Sequence, residues 1–222
     1  EFSFKLSSAR YVLLNSVFNS DADHILEPVV TVFEKLGSNS SFDIKLRLAG
    51  YFTKSAKQTD WYKPMSARIQ NLIDLEVCEY FGSYTVSDYH RLFSDVVCAI
   101  HPKYKDPCPN AVSERMQFGI PHVYSDSGGT PELVGNSGIK LEVEDRWDTQ
   151  VRVDSKDLLN GIWSVCNDHS LFRNRSLKRN QLSTALSPLQ KRHQTIEENI
   201  VQINAILEEL DGGSLIATDQ DP

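Results

Sequence analysis

Short apolar segments alternate with amphipathic helical patterns along most of the chain. The apolar segments have the length and the β-branched content of buried strands, and they are predicted at residues 11–15, 43–50, 77–82, 96–102, 121–125 and 139–143. Helices are predicted between them at residues 23–36, 60–75, 86–93 and 110–118, with Ser87 as a candidate cap. This alternation predicts an α/β fold, a Rossmann-like three-layer domain with a mostly parallel sheet of about six strands.

From about residue 154 the pattern becomes helical only, which predicts C-terminal helices after the sheet. We expect the Rossmann-like domain over residues 1–187, a further helix over 188–210 and a disordered tail over 211–222. The further helix carries an apolar stripe at spacings of four and three, formed by Ile196, Ile200, Ile203, Leu207 and Leu210. The stripe lasts about two heptads, so docking onto a neighbouring domain and self-association both stay open.

Composition excludes several classes of protein. A hydrophobic content of 40% with 24% charged residues is typical of a globular protein, and the net charge of −7 argues against a nucleic-acid partner. No apolar run approaches the ~20 residues of a membrane span. The four cysteines form no C-x-x-C pair, which argues against a zinc site. So few cysteines predict reduced thiols, with Cys78 and Cys98 in the core, and a cytoplasmic location, with the inner membrane face as an open alternative.

The loops that follow the predicted strands should meet at one edge of the sheet. Ligands of open parallel sheets bind outside the carboxyl ends of the strands. The loops in that position cover residues 16–23, 51–59, 83–85, 101–109 and 126–132. We therefore expect a ligand cleft lined by these loops.

The stretch DPCPNAVSERMQFGIPHVYSDSGGTPELV, which begins at Asp106, supplies most of the last two loops. Asp106 and Glu114 are acidic residues separated by seven others, and a double glycine, Gly128-Gly129, follows. Asn110 begins a predicted helix as its N-cap, and the free N–H groups of a helix N-terminus favour phosphate. The stretch predicts carboxylates and a phosphate-facing helix end in one cleft.

The block from residue 80 to residue 134 resembles the donor-binding half of GT-B-type retaining glycosyltransferases, the group 1 enzymes often called family four. That family carries two acidic residues separated by seven, and one variant reads D-x-x-P-N-x-x-x-E, followed by G-x-P-V and a G-G-x-x-E loop. The matching residues here are Asp106, Pro109, Asn110, Glu114, Gly119, Pro121, Gly128, Gly129 and Glu132. The resemblance implies one half of a GT-B fold.

The resemblance also implies roles for the matched positions. Glu114 would hold the ribose hydroxyls of a nucleotide-sugar, since a carboxylate can accept two hydrogen bonds from a vicinal diol. Asp106 would contact the transferred sugar, and the two acids are the expected catalytic residues. Together with the strand-end positions, this gives a predicted donor site of Ser16, Gly82, Ser83, Tyr84, His101, Lys103, Lys105, Pro109, Asn110, Ala111, Glu114, Gly128 and Gly129. The donor is expected to be UDP- or GDP-linked, with no metal or other cofactor.

One departure from the family concerns the diphosphate. Members usually place an Arg and a Lys after the first strand, whereas residues 15–23 read NSVFNSDAD, with no base and two acids. Lys103 and Lys105, or Lys54 and Lys57, could stand in for them. The departure leaves a second hypothesis open, a degenerate glycosyltransferase-like domain that serves as a non-catalytic binding or scaffold module.

A GT-B enzyme has two Rossmann-like domains with catalysis in the cleft between them. The resemblance places this chain as the donor-binding half alone. We therefore expect a glycan or lipid-linked acceptor to bind a separate N-terminal domain, in polysaccharide or glycoconjugate synthesis. On this reading the chain alone binds donor without turnover.

Overall fold

The computed structural model describes residues 10–37, 44–146 and 149–186, with side chains up to residue 180. A six-stranded sheet forms its centre, in the order β3-β2-β1-β4-β5-β6, and every pair of neighbouring strands is parallel. The strands are β1 (Arg10–Phe18), β2 (Ile44–Phe52), β3 (Cys78–Gly82), β4 (Val96–His101), β5 (His122–Ser125) and β6 (Gly138–Leu141). The predicted α/β, Rossmann-like class with about six strands is confirmed.

In the described residues, five helices connect successive strands and two more follow the last strand. They are α1 (Asp23–Gly37), α2 (Tyr62–Asp74), α3 (Tyr89–Phe93), α4 (Asn110–Gln117), α5 (Thr130–Val134), α6 (Ser155–Asn167) and α7 (His169–Leu186). Short 3₁₀ turns precede α2 and α3 and follow α5. The Asp154 side chain caps α6 by accepting hydrogen bonds from the N–H groups of Lys156 and Asp157, at 2.7 and 3.1 Å.

The sheet is buried on both faces, as its near-continuous apolar strands predict. One large cluster joins β1, β2 and β4 to α1, α2 and α6, with Phe18 and Phe33 fully buried. A smaller cluster on β1, β2 and β4 packs against α3 and includes Leu92 and Phe93. Cys78 and Cys98 are buried, and all four cysteines are free. The sheet is therefore a rigid base from which the strand-end loops project.

Several predicted boundaries are wrong. β1 runs to Phe18 rather than residue 15, because Ser16, Val17 and Phe18 continue the parallel ladder with β2. Ser16 therefore lies in a strand and not in a loop. The strands approach closely at this point, since a Cβ atom on Gly50 would lie 1.8 Å from the Ser16 carbonyl oxygen.

Two predicted caps are also wrong. Ser87 lies inside the 3₁₀ turn Val86–Asp88, and the cap is Thr85, whose N–H donates to the Asp88 carboxylate at 2.9 Å. Asn110 is the first residue of α4, and Pro109 occupies the N-cap position without a side-chain hydrogen bond. The predicted loop over residues 126–132 contains the start of α5.

The strand order reverses between β1 and β4. The connections from β1 run outward to β2 and β3, and those from β4 run outward to β5 and β6. The carboxyl ends of β1 and β4 therefore border a crevice, which is where doubly wound sheets bind ligands.

By its internal contacts, the chain divides into one unit over Glu1–Asn180 and a second over Gln181–Pro222. The sheet belongs to the first unit. The predicted helix over 188–210, with its apolar stripe, and the predicted tail over 211–222 lie outside the described residues. Among the described helices, none is both long and apolar enough to cross a membrane.

Candidate functional site

A cavity of about 510 Å³ opens at the carboxyl ends of β1, β2 and β4. It lies where the strand order reverses, the position expected for a ligand. Its walls come from these strand ends, from the loops after β3 and β4, and from the first turns of α4. The lining residues are Asn15, Ser16, Val17, Gly50, Tyr51, Ser83, Tyr84, His101, Lys103, Asp106, Cys108, Pro109, Asn110, Ala111 and Glu114.

Most of the predicted donor-site residues meet in this cavity. Those that line it are Ser16, Ser83, Tyr84, His101, Lys103, Asp106, Pro109, Asn110, Ala111 and Glu114. Four predicted residues do not line it, and these are Gly82, Lys105, Gly128 and Gly129. The sequence therefore located the cavity but not every part of its wall.

Asp106 sits at the centre of a charged group. Its side chain is only 12% exposed, and its Oδ2 atom lies 3.4 Å from His101 Nε2 and 3.1 Å from Lys103 Nζ. The contact with His101 and then the Lys103 ammonium hold the pKa of the Asp106 carboxyl well below its usual range. Burial lowers the pKa of His101. At neutral pH the cavity thus presents an ionised carboxylate and a neutral imidazole beside the Lys103 side chain.

The double glycine supports the loop that carries Asp106. The Gly129 N–H donates to the Asp106 carbonyl at 2.8 Å. Gly128 has φ +65°, and a Cβ atom there would lie 2.3 Å from the same carbonyl oxygen. A Cβ atom on Gly129 would lie 2.5 Å from the Pro107 carbonyl oxygen. Only glycine allows this approach, so the pair acts behind the cavity wall rather than inside the cavity.

Lys103 and Lys105 diverge although they are two residues apart. Lys103 lines the cavity, and its side chain is 48% exposed. Lys105 adopts φ +50°, its Nζ lies 2.8 Å from Asp145 Oδ1, and the ammonium stands over the Tyr104 ring. The left-handed turn at Lys105 directs the two lysines to different partners. Of these two lysines, Lys103 lines the cavity and Lys105 does not.

Glu114 reaches the cavity from α4. It lies one turn after Asn110 and three residues after Ala111, so these residues share a helix face that lines the cavity. The opposite face packs inward through Val112 and Met116, which are both buried. Glu114 is half-buried, and burial, followed by the nearby Glu114 carboxylate, raises the pKa of the Tyr89 hydroxyl to about 12.

Asn15 is a cavity residue that the sequence did not reveal. It is buried in the second half of β1, and its Nδ2 atom donates to the Tyr84 hydroxyl oxygen at 2.6 Å. Its Oδ1 atom is buried, with no hydrogen-bond partner among the described residues. The ladder from β1 to β4 pairs Leu13 with Ala99, so Asn15 and His101, each two residues further on, project from the same face. A polar residue ending a buried parallel strand was the available signal.

Tyr51, Val17 and Cys108 also line the cavity, and they fall within the loops predicted to line it, although none was named as a site residue. Tyr51 and Val17 are about half exposed, at 49% and 53%, although they belong to strands. They extend β1 and β2 beyond the predicted ends.

Arg115 lies directly behind the cavity wall. It is fully buried at 0% exposure and is the largest fully buried side chain of the described residues. Its guanidinium donates to the carbonyls of Ala111 and Ile100, at 2.6 and 3.2 Å, and its Nη2 atom lies 3.4 Å from His101 Nδ1. Burial lowers the pKa of Arg115 to about 10. An arginine on the core-facing side of a predicted helix was the signal in the sequence.

Metal ligands do not cluster in the part of the chain that the structure describes. Within it, no group of three or more His, Cys, Asp or Glu side chains is arranged to hold a metal ion. His122 is fully buried in β5 and does not line the cavity. Asp106, Lys103, Glu114 and His101 are among the ionisable side chains that line the cavity.

Comparison with known protein families gives one match. The family model described as "Glycosyl transferases group 1" matches residues 23–170, which include α1, the whole of β2 to β6 and the cavity loops. A search of curated protein sequences gives no significant match.

Solved structures share the fold at low sequence identity. HepE from Anabaena, in complex with UDP-glucose, has a TM-score of 0.59 at 18% identity, over 90% of this chain and 48% of HepE. Sucrose-phosphate synthase from Thermosynechococcus elongatus has a TM-score of 0.59 at 18% identity, over 93% of this chain and 46% of the synthase. The pneumococcal O-GlcNAc transferase GtfA, in complex with UDP and GlcNAc, has a TM-score of 0.58 at 12% identity, over 93% of this chain and 37% of GtfA.

These likenesses show the fold. The chain spans about half the length, or less, of the solved structures that it matches.

Proposed function

Since the chain belongs to the glycosyl transferases group 1, we propose that it is the donor-binding half of a glycosyltransferase. The complete enzyme transfers a sugar from a nucleotide-sugar to an acceptor with retention of configuration. The observation that carries the proposal is the convergence of Asp106, Lys103 and Glu114 on one cavity where the strand order reverses. This is the position at which doubly wound sheets bind nucleotides.

Glu114 is the proposed ribose ligand. Its carboxylate is half-buried and lines the cavity, so it can accept two short hydrogen bonds from the vicinal hydroxyls of a ribose. Ser83 and Tyr84 follow β3 and line the adjoining wall, where the base would lie.

Lys103 is the proposed cation for the diphosphate. A departing nucleoside diphosphate gains negative charge in the transition state, and fixed positive charge stabilises that state. Lys103 is half exposed beside Asp106, and the N-terminus of α4 adds a partial positive charge at the same wall. In this proposal these groups act without a resident metal, and Asp106 contacts the transferred sugar.

The donor proposed first is UDP-linked, with GDP as the second choice. HepE was solved with UDP-glucose and GtfA with UDP and GlcNAc, and both share this fold. The acceptor, a glycan or a lipid-linked sugar in polysaccharide or glycoconjugate synthesis, binds a separate domain. Because the chain spans about half the length of HepE, the isolated chain binds donor without transferring sugar.

Nucleotide binding by variants of Glu114 tests the proposal. We expect millimolar UDP or GDP to raise the melting temperature of the wild-type chain. Glu114→Gln should weaken that binding by about 10- to 100-fold, since hydrogen bonds to charged groups contribute about 1.5–3 kcal/mol. Isothermal titration calorimetry gives the affinities, and an assay of sugar release from the donor should stay at background.

Glu132→Gln is the matched control. Glu132 undergoes the same chemical change, but it is exposed on α5 and does not line the cavity. Its affinity should equal that of the wild type. If neither nucleotide binds the wild type, or if both variants bind equally, the proposed donor site is wrong.

One observation favours a second candidate, a non-catalytic glycosyltransferase-like scaffold. The segment after β1 holds Asp21 and Asp23 and no basic residue, and Asp23 forms a salt bridge with Arg152 on the segment before α6. A scaffold of this kind would show no melting shift with any nucleoside diphosphate. The titration of the wild type therefore distinguishes the two candidates.

A further inference from the structure

Arg115 presents an energetic problem. Its charge is fully buried, and its guanidinium is bonded to the carbonyls of Ala111 and Ile100 and to the imidazole of His101, all of which are neutral groups. Burying a charge among neutral groups is costly compared with an apolar side chain of similar size. An arginine in this position therefore calls for a role beyond filling the core.

The contacts of His101 specify which ring nitrogen carries the proton. Arginine only donates hydrogen bonds, so His101 Nδ1, 3.4 Å from Arg115 Nη2, must act as the acceptor. A neutral ring with Nδ1 as acceptor carries its proton on Nε2. That nitrogen lies 3.4 Å from Asp106 Oδ2, which only accepts. This contact is not a hydrogen bond, and Nε2 has no hydrogen-bond partner among the described residues, but an N–H there would attract the carboxylate whereas a lone pair would repel it. The contact with Asp106 therefore favours the tautomer that Arg115 requires.

We propose that Arg115 is a positioning residue of the donor site, which fixes His101 in the Nε2–H tautomer so that this N–H faces Asp106 and the cavity. With Arg115 absent, Nδ1 could carry the proton instead, and the lone pair of Nε2 would then face the carboxylate. The lone pair and the carboxylate would repel each other, and the Asp106 side chain would lose its fixed orientation beside Lys103.

Arg115 also places a positive charge beneath the cavity. Its electrostatic interactions reach Glu114 and Tyr84, which both line the cavity. Buried charges are screened by salt far less than exposed ones. The positive charge of Arg115 adds to that of Lys103. The segment directly after β1, residues 19–23, contains no lysine or arginine. The consequence for donor binding rests on the proposed function, whereas the tautomer does not.

Nitrogen NMR of the full chain tests the tautomer directly. Long-range ¹H–¹⁵N correlation spectra at pH 8 distinguish Nε2–H from Nδ1–H, and His101→Gln assigns the signal. We expect Nε2–H in the wild type and in Arg115→Lys, which keeps a charged donor. In Arg115→Met we expect a mixture or the Nδ1–H form, together with about 10-fold weaker binding of UDP.

Arg47→Met is the matched control. Arg47 is also buried, but it bonds the carbonyls of Leu92 and Ser94 and pairs with Glu79, none of which line the cavity. This variant should keep both the tautomer and the affinity for UDP, whatever it does to the melting temperature.

Two results would overturn the inference. One is the Nδ1–H form in the wild type, and the other is an Nε2–H signal that is unchanged in Arg115→Met. If Arg115→Met does not fold, the wild-type spectrum and Arg115→Lys still decide, because loss of Nε2–H in a folded Arg115→Lys chain contradicts a role for the charged donor. If the chain shows the expected tautomer but binds no nucleotide, the proposed function is wrong, whereas the positioning of His101 by Arg115 is not contradicted.

Discussion

Several histidines are held neutral by the fold, and His122 is the most deeply buried of those that the structure describes. It is 0% exposed on β5, and burial, followed by the positive charge of Arg115, holds its pKa well below the ordinary value of 6.5. His24, His101 and His169 are shifted in the same direction, each chiefly by burial. The folded chain therefore resists protonation at positions that accept a proton after unfolding.

This arrangement predicts that acid destabilises the fold. Below about pH 6.5 the unfolded state binds more protons than the folded state, so the free energy of unfolding falls as the pH falls. His122 alone contributes a slope of up to about 1.4 kcal/mol per pH unit below that value. His122→Gln should flatten the slope by about this amount, as measured by urea unfolding between pH 8 and pH 5.

His90→Gln is the control, because His90 is exposed on α3. It should keep the wild-type slope. Equal slopes in the two variants would show that His122 is not the group that takes up the proton.

Single residues also show what sequence can and cannot reveal about the site. Asp106 and Glu114 stood out through their spacing and the resemblance, and both line the cavity. Asn15 and Arg115 did not, because their importance comes from the neighbours that folding brings to them, Tyr84 and His101, which are 69 and 14 residues away in the chain. A single sequence shows only that a polar residue belongs to a buried strand and that an arginine lies on the core-facing side of a helix; it does not show which partners these residues contact.

At the scale of elements, the loops after β4 and β5 form one unit. The Gly129 N–H bonds the Asp106 carbonyl, the Lys105 N–H donates to Ser127 Oγ at 2.8 Å, and Ser125 Oγ donates to the Lys103 carbonyl at 2.7 Å. The second loop thus fixes the backbone of the first along the segment that carries the cavity side chains.

Substitution of Gly128 tests this coupling. In Gly128→Ala the new Cβ atom meets the backbone of Asp106, in addition to the ~1–2 kcal/mol cost of a left-handed non-glycine residue. We expect a loss of stability larger than that cost, and weaker binding of UDP because the Asp106 loop must move. Urea unfolding and calorimetric titration measure the two effects.

Gly82→Ala provides the comparison. Gly82 has φ +77°, but a Cβ atom there has nothing within 4 Å, so only the conformational cost of about 1–2 kcal/mol applies. Equal losses in the two variants would contradict a steric role for Gly128.

The presence of most elements could be predicted, but their ends could not. Apolar content located all six strands, since strands buried on both faces are apolar throughout. The end of β1 was missed because Ser16 looks like a loop residue, while its place in the ladder depends on Gly50 of the neighbouring strand. The five-residue α5 was missed because its Gly-Gly-Thr-Pro start is typical of a turn.

At the scale of the whole molecule, the order of the sheet explains the position of the site. The reversal between β1 and β4 leaves a crevice at their carboxyl ends, and the loops after β3 and β4 close over it. Strand and helix alternation predicted this architecture, because parallel strands with helical crossovers have few ways to pack. The depth of the cavity and the burial of Arg115 behind its wall depend on side-chain packing. The alternation of strands and helices does not specify that packing.

The central claim is that the cavity binds the nucleoside diphosphate of a donor. Titration of the ¹⁵N-labelled full chain with UDP, followed by amide chemical shifts, tests it most directly. The claim predicts shifts concentrated at cavity positions from separate parts of the chain, such as Ser16, Ser83, His101 and Glu114. If millimolar UDP and GDP leave these amides unchanged, or if the largest shifts lie outside the cavity, the claim is contradicted.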